Sequence, residues 1–453
     1  MSKHTVKHIF RGVVFLLIVV LSSQINAQDG FRFINQNKNY ERVKFKLINN
    51  LIVVPLEING KELSFILDTG VSKIILFNIT QNDSIGLNNV EKVSLQGLGK
   101  GEPVDALLSK HNRLKVENLV SNNETIYIIV RDYFDLSSKM GTTIHGVLGY
   151  DLLSNFVVKI NYIKKYIDFY RPETFEKKKC RRCETFPIQF YRRKPFIDAK
   201  VQLDTIGNTL TDVKLLIDSG GSDALWMFEH TKPEIITPKN YFKDILGEGL
   251  SGAIYGNRSR VKKFKLGKFD IENPTVSFLD SVSTKNARGL KERNGSIGAD
   301  ILRRFIVWFD YRNKEVTLKK NGSLTKGFNY NMSCLEVVYN GKQLVREKDE
   351  RLIIDGYQQQ GLKSSKSIDF IISYSYRFKP SYRIKNVLEN SPAALAGLKK
   401  DDIILKINNT AAHNLKLSDI NYKFQEKDGG KMRLTVSRNG QIMKFKFKLE
   451  KKI

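Results

Sequence analysis

Phe65-Ile66-Leu67-Asp68-Thr69-Gly70 is the stretch on which the reading of this chain turns. An apolar strand runs directly into an acidic residue, a small hydroxyl residue and a glycine. Leu215-Leu216-Ile217-Asp218-Ser219-Gly220 repeats the pattern, with Asp68 and Asp218 lying 150 positions apart. Downstream, Gly146-Val147-Leu148-Gly149 and Gly295-Ser296-Ile297-Gly298 repeat at an offset of 149. Residues 156–162 and 305–311 then read as matching strands. Several features recurring at one spacing mark an internal duplication.

The strands before the acidic motifs also correspond, at 52–58 and 196–201. The duplicated units run from 42 to 171 and from 186 to 320, with a polar, charged linker at 172–185. Short runs rich in Val, Ile, Phe, Tyr and Leu, broken by Gly, Asn, Asp and Lys clusters, predict a mainly β protein. An approximate two-fold axis relating the lobes would bring the two acidic turns to one site. Two carboxylates a few ångströms apart cannot both ionise cheaply, so they hold one proton between them. One is then a general base and the other a general acid for a water attacking a carbonyl.

With these motifs in view, the sequence resembles the bacterial retropepsin-like aspartic peptidases, in which two retroviral-type lobes are fused in one chain. The resemblance covers residues 42–320 and implies a two-lobed acid-protease-like pair of β-barrels. It implies Asp68 and Asp218 as the catalytic dyad and Thr69 and Ser219 as a supporting hydroxyl network. Gly70 and Gly220 would make the turns, and Leu148-Gly149 and Ile297-Gly298 would pack behind each Asp. Val71 and Gly221 depart from the family pattern, with Ser72 and Ser222 one residue later. The family's substrate-covering flaps would fall at Gly97-Leu98-Gly99 in lobe one and at Gly249-Leu250-Ser251 in lobe two. Neither slot holds the flap tyrosine of pepsin-like enzymes, although Tyr255 is close by. His145 abuts the first Gly block where Asn294 stands in the second, and it reads as structural or substrate-facing.

The repeat stops after residue 320. Residues 381–387 read as a strand. Ser391 then caps a short helix with Pro392 as its first residue and Gly397 as its stop. The segment Ser391-Pro392-Ala393-Ala394-Leu395-Ala396-Gly397-Leu398 and the following strand at 402–408 resemble bacterial PDZ domains. Asp401 stands where that family usually has glycine. The resemblance spans 375–450, with 321–374 as a lead-in, and implies a PDZ-like β/α domain that adds an extended peptide to a sheet edge. Residues 415–424 would be the helix lining that groove, and 378–382 lie where a carboxylate-binding loop would sit.

The chain has 453 residues, with 75 Lys and Arg against 47 Asp and Glu, a net charge of +28. The cations are spread along its length, densest at 177–182, and no aromatic stacking platform accompanies them. A solvated basic surface is expected, and no nucleic-acid module. Residues 1–27 read as a signal peptide: Lys3, Lys7 and Arg11 precede an apolar core at 13–21, and Ala27 offers the cleavage site. The other reading of this segment is an uncleaved anchor; export to a periplasm or the exterior is expected either way. The mature chain should contain no membrane span. Cys180 and Cys183 fit a disulfide or free thiols better than a redox or metal pair, since no second ligand pair exists. No metal and no cofactor are expected. The function expected is a secreted aspartic endopeptidase acting on peptides or proteins, with the PDZ groove taking a peptide. The alternative is a bilobal peptide-binding or assembly protein that does not cut.

Overall fold

The structure is a computed structural model and describes residues 30–79, 85–95, 102–130, 135–203, 207–249, 252–356 and 366–453. Residues 1–27, expected as a signal peptide, and flap candidates Gly97, Leu98, Gly99, Leu250 and Ser251 lie outside the described residues. The described chain is mainly β, arranged in four sheets.

In lobe one, Lys61–Leu67 lies parallel to Gly146–Leu148, which in turn runs antiparallel to Ile74–Leu76. In lobe two, Thr211–Ile217 lies parallel to Arg293–Ile297, itself antiparallel to Leu225–Phe228. Each acidic motif thus leaves the end of a central strand beside the strand carrying its Gly block. These central strands are apolar on both faces: Phe65, Ile66 and Leu67 are buried, as are Leu215, Leu216 and Ile217. Such continuous apolar runs suit strands covered on both sides.

Two long strands, Val104–Val116 and Leu119–Ile128, form the outer part of lobe one. Lobe two divides the same path among four: Gly252–Arg260, Lys263–Leu266, Phe269–Glu272 and Thr275–Leu279. Glu91–Leu95 pairs with Val104–Val116, ending at Leu95 opposite Val104. Phe242–Gly249 pairs with Gly252–Arg260, ending at Gly249 opposite Gly252. The two flap slots therefore fall in sequence between strands paired at equivalent places in the two lobes.

A six-stranded sheet joins the lobes. Its central pair is Val157–Asn161 against Phe305–Asp310, antiparallel, with Lys159 opposite Trp308. Those two residues are 149 positions apart, the offset of the repeat, so the approximate two-fold axis passes through their pairing. Tyr166–Tyr170 and Tyr40–Lys44 extend the sheet on one side, and Glu315–Lys320 and Cys183–Pro187 on the other. The lobes therefore reach beyond the sequence estimate: lobe one begins with Arg32–Phe33 and Tyr40–Lys44, and the end of the expected linker is already a strand. Cys180 and Cys183 form a disulfide just before that strand, and Cys334 is a free thiol.

The lead-in and the PDZ-like part form one sheet. Leu335–Gly356 and Lys366–Val387 make a long antiparallel hairpin, of which only the base joins Ile403–Ile407. Residues 378–382 are strand within this hairpin, Phe378 opposite Leu344 and Tyr382 opposite Tyr339, so no carboxylate-binding loop forms there. Ser391 Oγ accepts from Ala394 N–H at 3.2 Å and caps Pro392–Leu395, as the sequence predicts. Asp401 takes the left-handed conformation, φ +69°, which explains why glycine suits its position. Asp402 is fully buried and takes a two-pronged ion pair from Arg438, at 2.6 and 2.8 Å. No helix among the described residues is long and apolar enough to cross a membrane.

Candidate active site

The two acidic turns meet at the axis. Thr69 Oγ1 donates to Ile217 C=O at 2.7 Å, and Ser219 Oγ donates to Leu67 C=O at 2.8 Å. Thr69 N–H donates to Ser219 Oγ, and Ser219 N–H to Thr69 Oγ1, each at 3.0 Å. Each hydroxyl crosses to the other lobe, accepts one backbone bond and donates another. Both side chains are buried, so these four bonds satisfy groups with no water to turn to. Ser219→Ala removes a donor and an acceptor together. It should cost about 2–4 kcal/mol of stability, read as a lower denaturant midpoint at unchanged m-value.

Each Asp is held by its own turn. Asp68 N–H donates to Leu148 C=O at 2.8 Å and Asp218 N–H to Ile297 C=O at 2.9 Å. Asp68 Oδ1 accepts from Gly70 N–H at 2.6 Å, and Asp218 Oδ1 from Gly220 and Gly221 N–H at 3.0 and 2.9 Å. The two carboxyls lie side by side, both in contact distance of the turn glycines. A Cβ placed on Gly220 would collide with the Asp68 carboxyl, and one on Gly70 would sit 3.2 Å from Asp218 Oδ1. Gly149 and Gly298 admit the loops behind: a Cβ there would strike the Asp68 and Asp223 carbonyls.

Burial pushes the Asp68 carboxyl up to about 7, and the adjacent Asp218 charge adds to the rise. Gly70 N–H and the Lys194 ammonium act the other way. The proton belongs to the pair rather than to either Asp alone. Lys194 is itself half-buried. Its affinity for a proton falls through desolvation, then through Arg293, against the pull of Asp68 and Asp218. Removing this cation raises the dyad's proton affinity. Lys194→Met should therefore move both limbs of a pH–activity profile upward, by about half a unit to one unit.

Sequence reasoning missed Lys194, Arg293 and an aromatic group from both lobes. Tyr311 lies within the electrostatic reach of Asp68. Its ring packs on Tyr150 at 5.8 Å and Phe190 at 4.8 Å, and Arg193 lies over Tyr150 at 5.3 Å. Arg293 is buried between Phe196 and Phe228 and donates to Ser296 Oγ at 2.8 Å. Tyr150 and Tyr311 stand at the ends of the repeated blocks, which was the available signal; Lys194 opens the strand Lys194–Gln202 just after the charged pair Arg192–Arg193.

His145 resolves to a structural role. Its Nδ1 accepts from Ser64 N–H at 3.1 Å, and in lobe two Asn294 Oδ1 accepts from Lys214 N–H at 2.8 Å. The two different side chains do one job at matched positions. Lobe two adds an ionic brace: Arg258 bridges Asp223 at 3.2 Å and Asp244 at 2.7 Å, and Trp226 Nε1 donates to Asp223. This ties the Phe242–Arg260 hairpin to the loop following Asp218. Among the described residues, no cluster of His, Cys, Asp and Glu is placed to hold a metal ion.

Residues 54–152, which hold the first acidic turn and its Gly block, match the aspartyl protease family model. Lobe one is an aspartyl protease domain. Residues 383–438 match the PDZ domain family model. Among solved structures, the chain is similar to the aspartic proteinase from Irpex lacteus, at 12% identity and a TM-score of 0.41, over 64% of this chain and 99% of that one. No curated protein matches the sequence. The protease family match ends within lobe one, but the second acidic turn, its Gly block and the crossed hydroxyls extend the protease domain's geometry into lobe two.

Proposed function

We propose that the chain is an aspartic endopeptidase that hydrolyses peptide bonds with a water held between Asp68 and Asp218. The observation that carries this reading is the crossed Thr69–Ser219 network, which fixes the two carboxyls face to face. In the singly protonated pair, the carboxylate takes a proton from water as its oxygen attacks the peptide carbonyl carbon. The neutral carboxyl gives its proton to the carbonyl oxygen, leaving a geminal diol. Transfer of a proton to the amide nitrogen then accompanies C–N cleavage, yielding a carboxylic acid and an amine. The hairpins ending at Leu95/Val104 and Gly249/Gly252 would fold over an extended substrate.

The PDZ domain would take a peptide along the edge strand Leu335–Gly356 beside the helix Leu417–Lys423. Residues 1–27 would direct export, placing both activities outside the cytoplasm. Incubating the chain from residue 28 onward with a mixed peptide library between pH 3 and 8, then sequencing the products, tests the assignment. Products that vanish in Asp218→Asn are expected; no cleavage at any pH would leave the non-cutting, peptide-binding reading.

A further inference from the structure

The strand Leu335–Gly356 is an edge of the PDZ sheet, and the helix Leu417–Lys423 lies against it. That is the cleft a peptide would enter, and it is not open. The lobe-one helix Leu136–Met140 packs against this same strand. Lys139 Nζ lies 3.2 Å from Glu336 Oε1, and Lys385 Nζ 3.0 Å from Asp135 Oδ2. The two ion pairs run in opposite polarity, one at each end of the helix. Gly141, at φ +67°, brings the chain so close to the PDZ helix that a Cβ there would sit 3.1 Å from Leu417 Cβ. A crevice of about 320 Å³ follows the seam, between Ser137, Ser138 and Thr142 on one side and Tyr339, Asn340 and Arg383 on the other.

The inner face of the same helix serves the protease lobe. Met140 is buried, and with Leu136 it belongs to the apolar cluster that also takes in Val93 and Leu95 of the flap-bearing hairpin and Ala299 of lobe two. Lys139 C=O accepts from Asn49 Nδ2 at 3.2 Å. One short helix thus shares an apolar cluster with the flap strand on its inner side and packs against the PDZ edge strand on its outer side.

We propose that residues 135–143 are a built-in occupant of the PDZ groove, so that an incoming peptide must displace them and in doing so loosens the helix that supports the lobe-one flap. The inference rests on the peptide-binding reading of the PDZ groove and is independent of whether the dyad cleaves. An intramolecular occupant competes at an effective concentration of order millimolar, so it masks ligands of ordinary affinity. Groove occupancy and helix docking are then reciprocally linked.

The probe is a fluorescent synthetic peptide of sequence 135–143, titrated against the full mature chain by anisotropy. Asp135→Lys and Lys139→Glu weaken docking from the lobe side and leave every groove residue in place. Both variants should bind the probe about tenfold or more tighter than wild type. Equal affinity in all three proteins, or binding in none, overturns the proposal. A second measurement needs no variant: saturating probe should raise amide hydrogen exchange at 136–140 in wild type, and unchanged exchange there would also overturn it.

Discussion

Asp218→Asn, and separately Asp68→Asn, will lower the rate of peptide-bond cleavage by about 10³-fold or more with the fold retained. Asparagine keeps an Oδ1 that can accept from Gly220 and Gly221, or from Gly70 in the other turn, so the loop hydrogen bonds survive. The loss is chemical. An amide cannot take the proton of the attacking water, and in Asp218→Asn the remaining Asp68 carboxyl loses the neighbour whose charge helped hold its proton. Relieving two crowded carboxyls should leave the melting temperature unchanged or slightly raised, so activity and stability separate. Product formation followed by mass spectrometry, alongside a thermal melt, reads both. Cleavage at the wild-type rate in either variant would remove the dyad from the mechanism.

Gly220→Ala carries the second large effect. Its Cβ would fall on the Asp68 carboxyl carbon and both oxygens, so the carboxyl must turn out of register with Asp218. Misplacing a reacting group by about an ångström costs on the order of 10²-fold in rate. The adjacent position supplies the control. A Cβ on Gly221 would meet Asp218 Oδ2 at 3.4 Å, an ordinary contact, so Gly221→Ala should change the rate little. Comparable losses in both variants would show that the loop tolerates no side chain at all, and that closeness of the carboxyls is not what Gly220 protects.

Much of the site was legible because duplication wrote it twice. The acidic turns, the Gly blocks and the hydroxyls each recur at one offset, and the structure brings Asp68, Asp218, Thr69 and Ser219 to the axis. The parallel pairing of each Asp strand with its Gly block follows from apolar runs that need cover on both faces. What stayed hidden lacks a repeat. Lys194 and Arg293 lie close to the dyad only through tertiary packing, and a lysine beside two arginines looks like any surface lysine. Asn294 passed for the absence of a histidine because an imidazole nitrogen and an amide oxygen share no letter, although both accept the same backbone bond. The PDZ match at 383–438 falls within the expected 375–450; what the sequence did not show is the pairing of residues 335–356 with 366–387, a matter of long-range register, since the sequence signature lies in the capped helix beyond it.

The sheet that joins the lobes also bears on how the chain reaches its final form. Its central pair links residues 149 apart, so it must close a very large loop before any bond rewards the closure. Each half can assemble its own strands from neighbours nearer in sequence. The crossed hydroxyls and the facing carboxyls come into being only when the halves dock. On the proposed reading, catalytic competence would therefore be a late event in folding, delayed behind two bodies that are already largely built, and nascent protein would carry little hydrolytic power until that final docking.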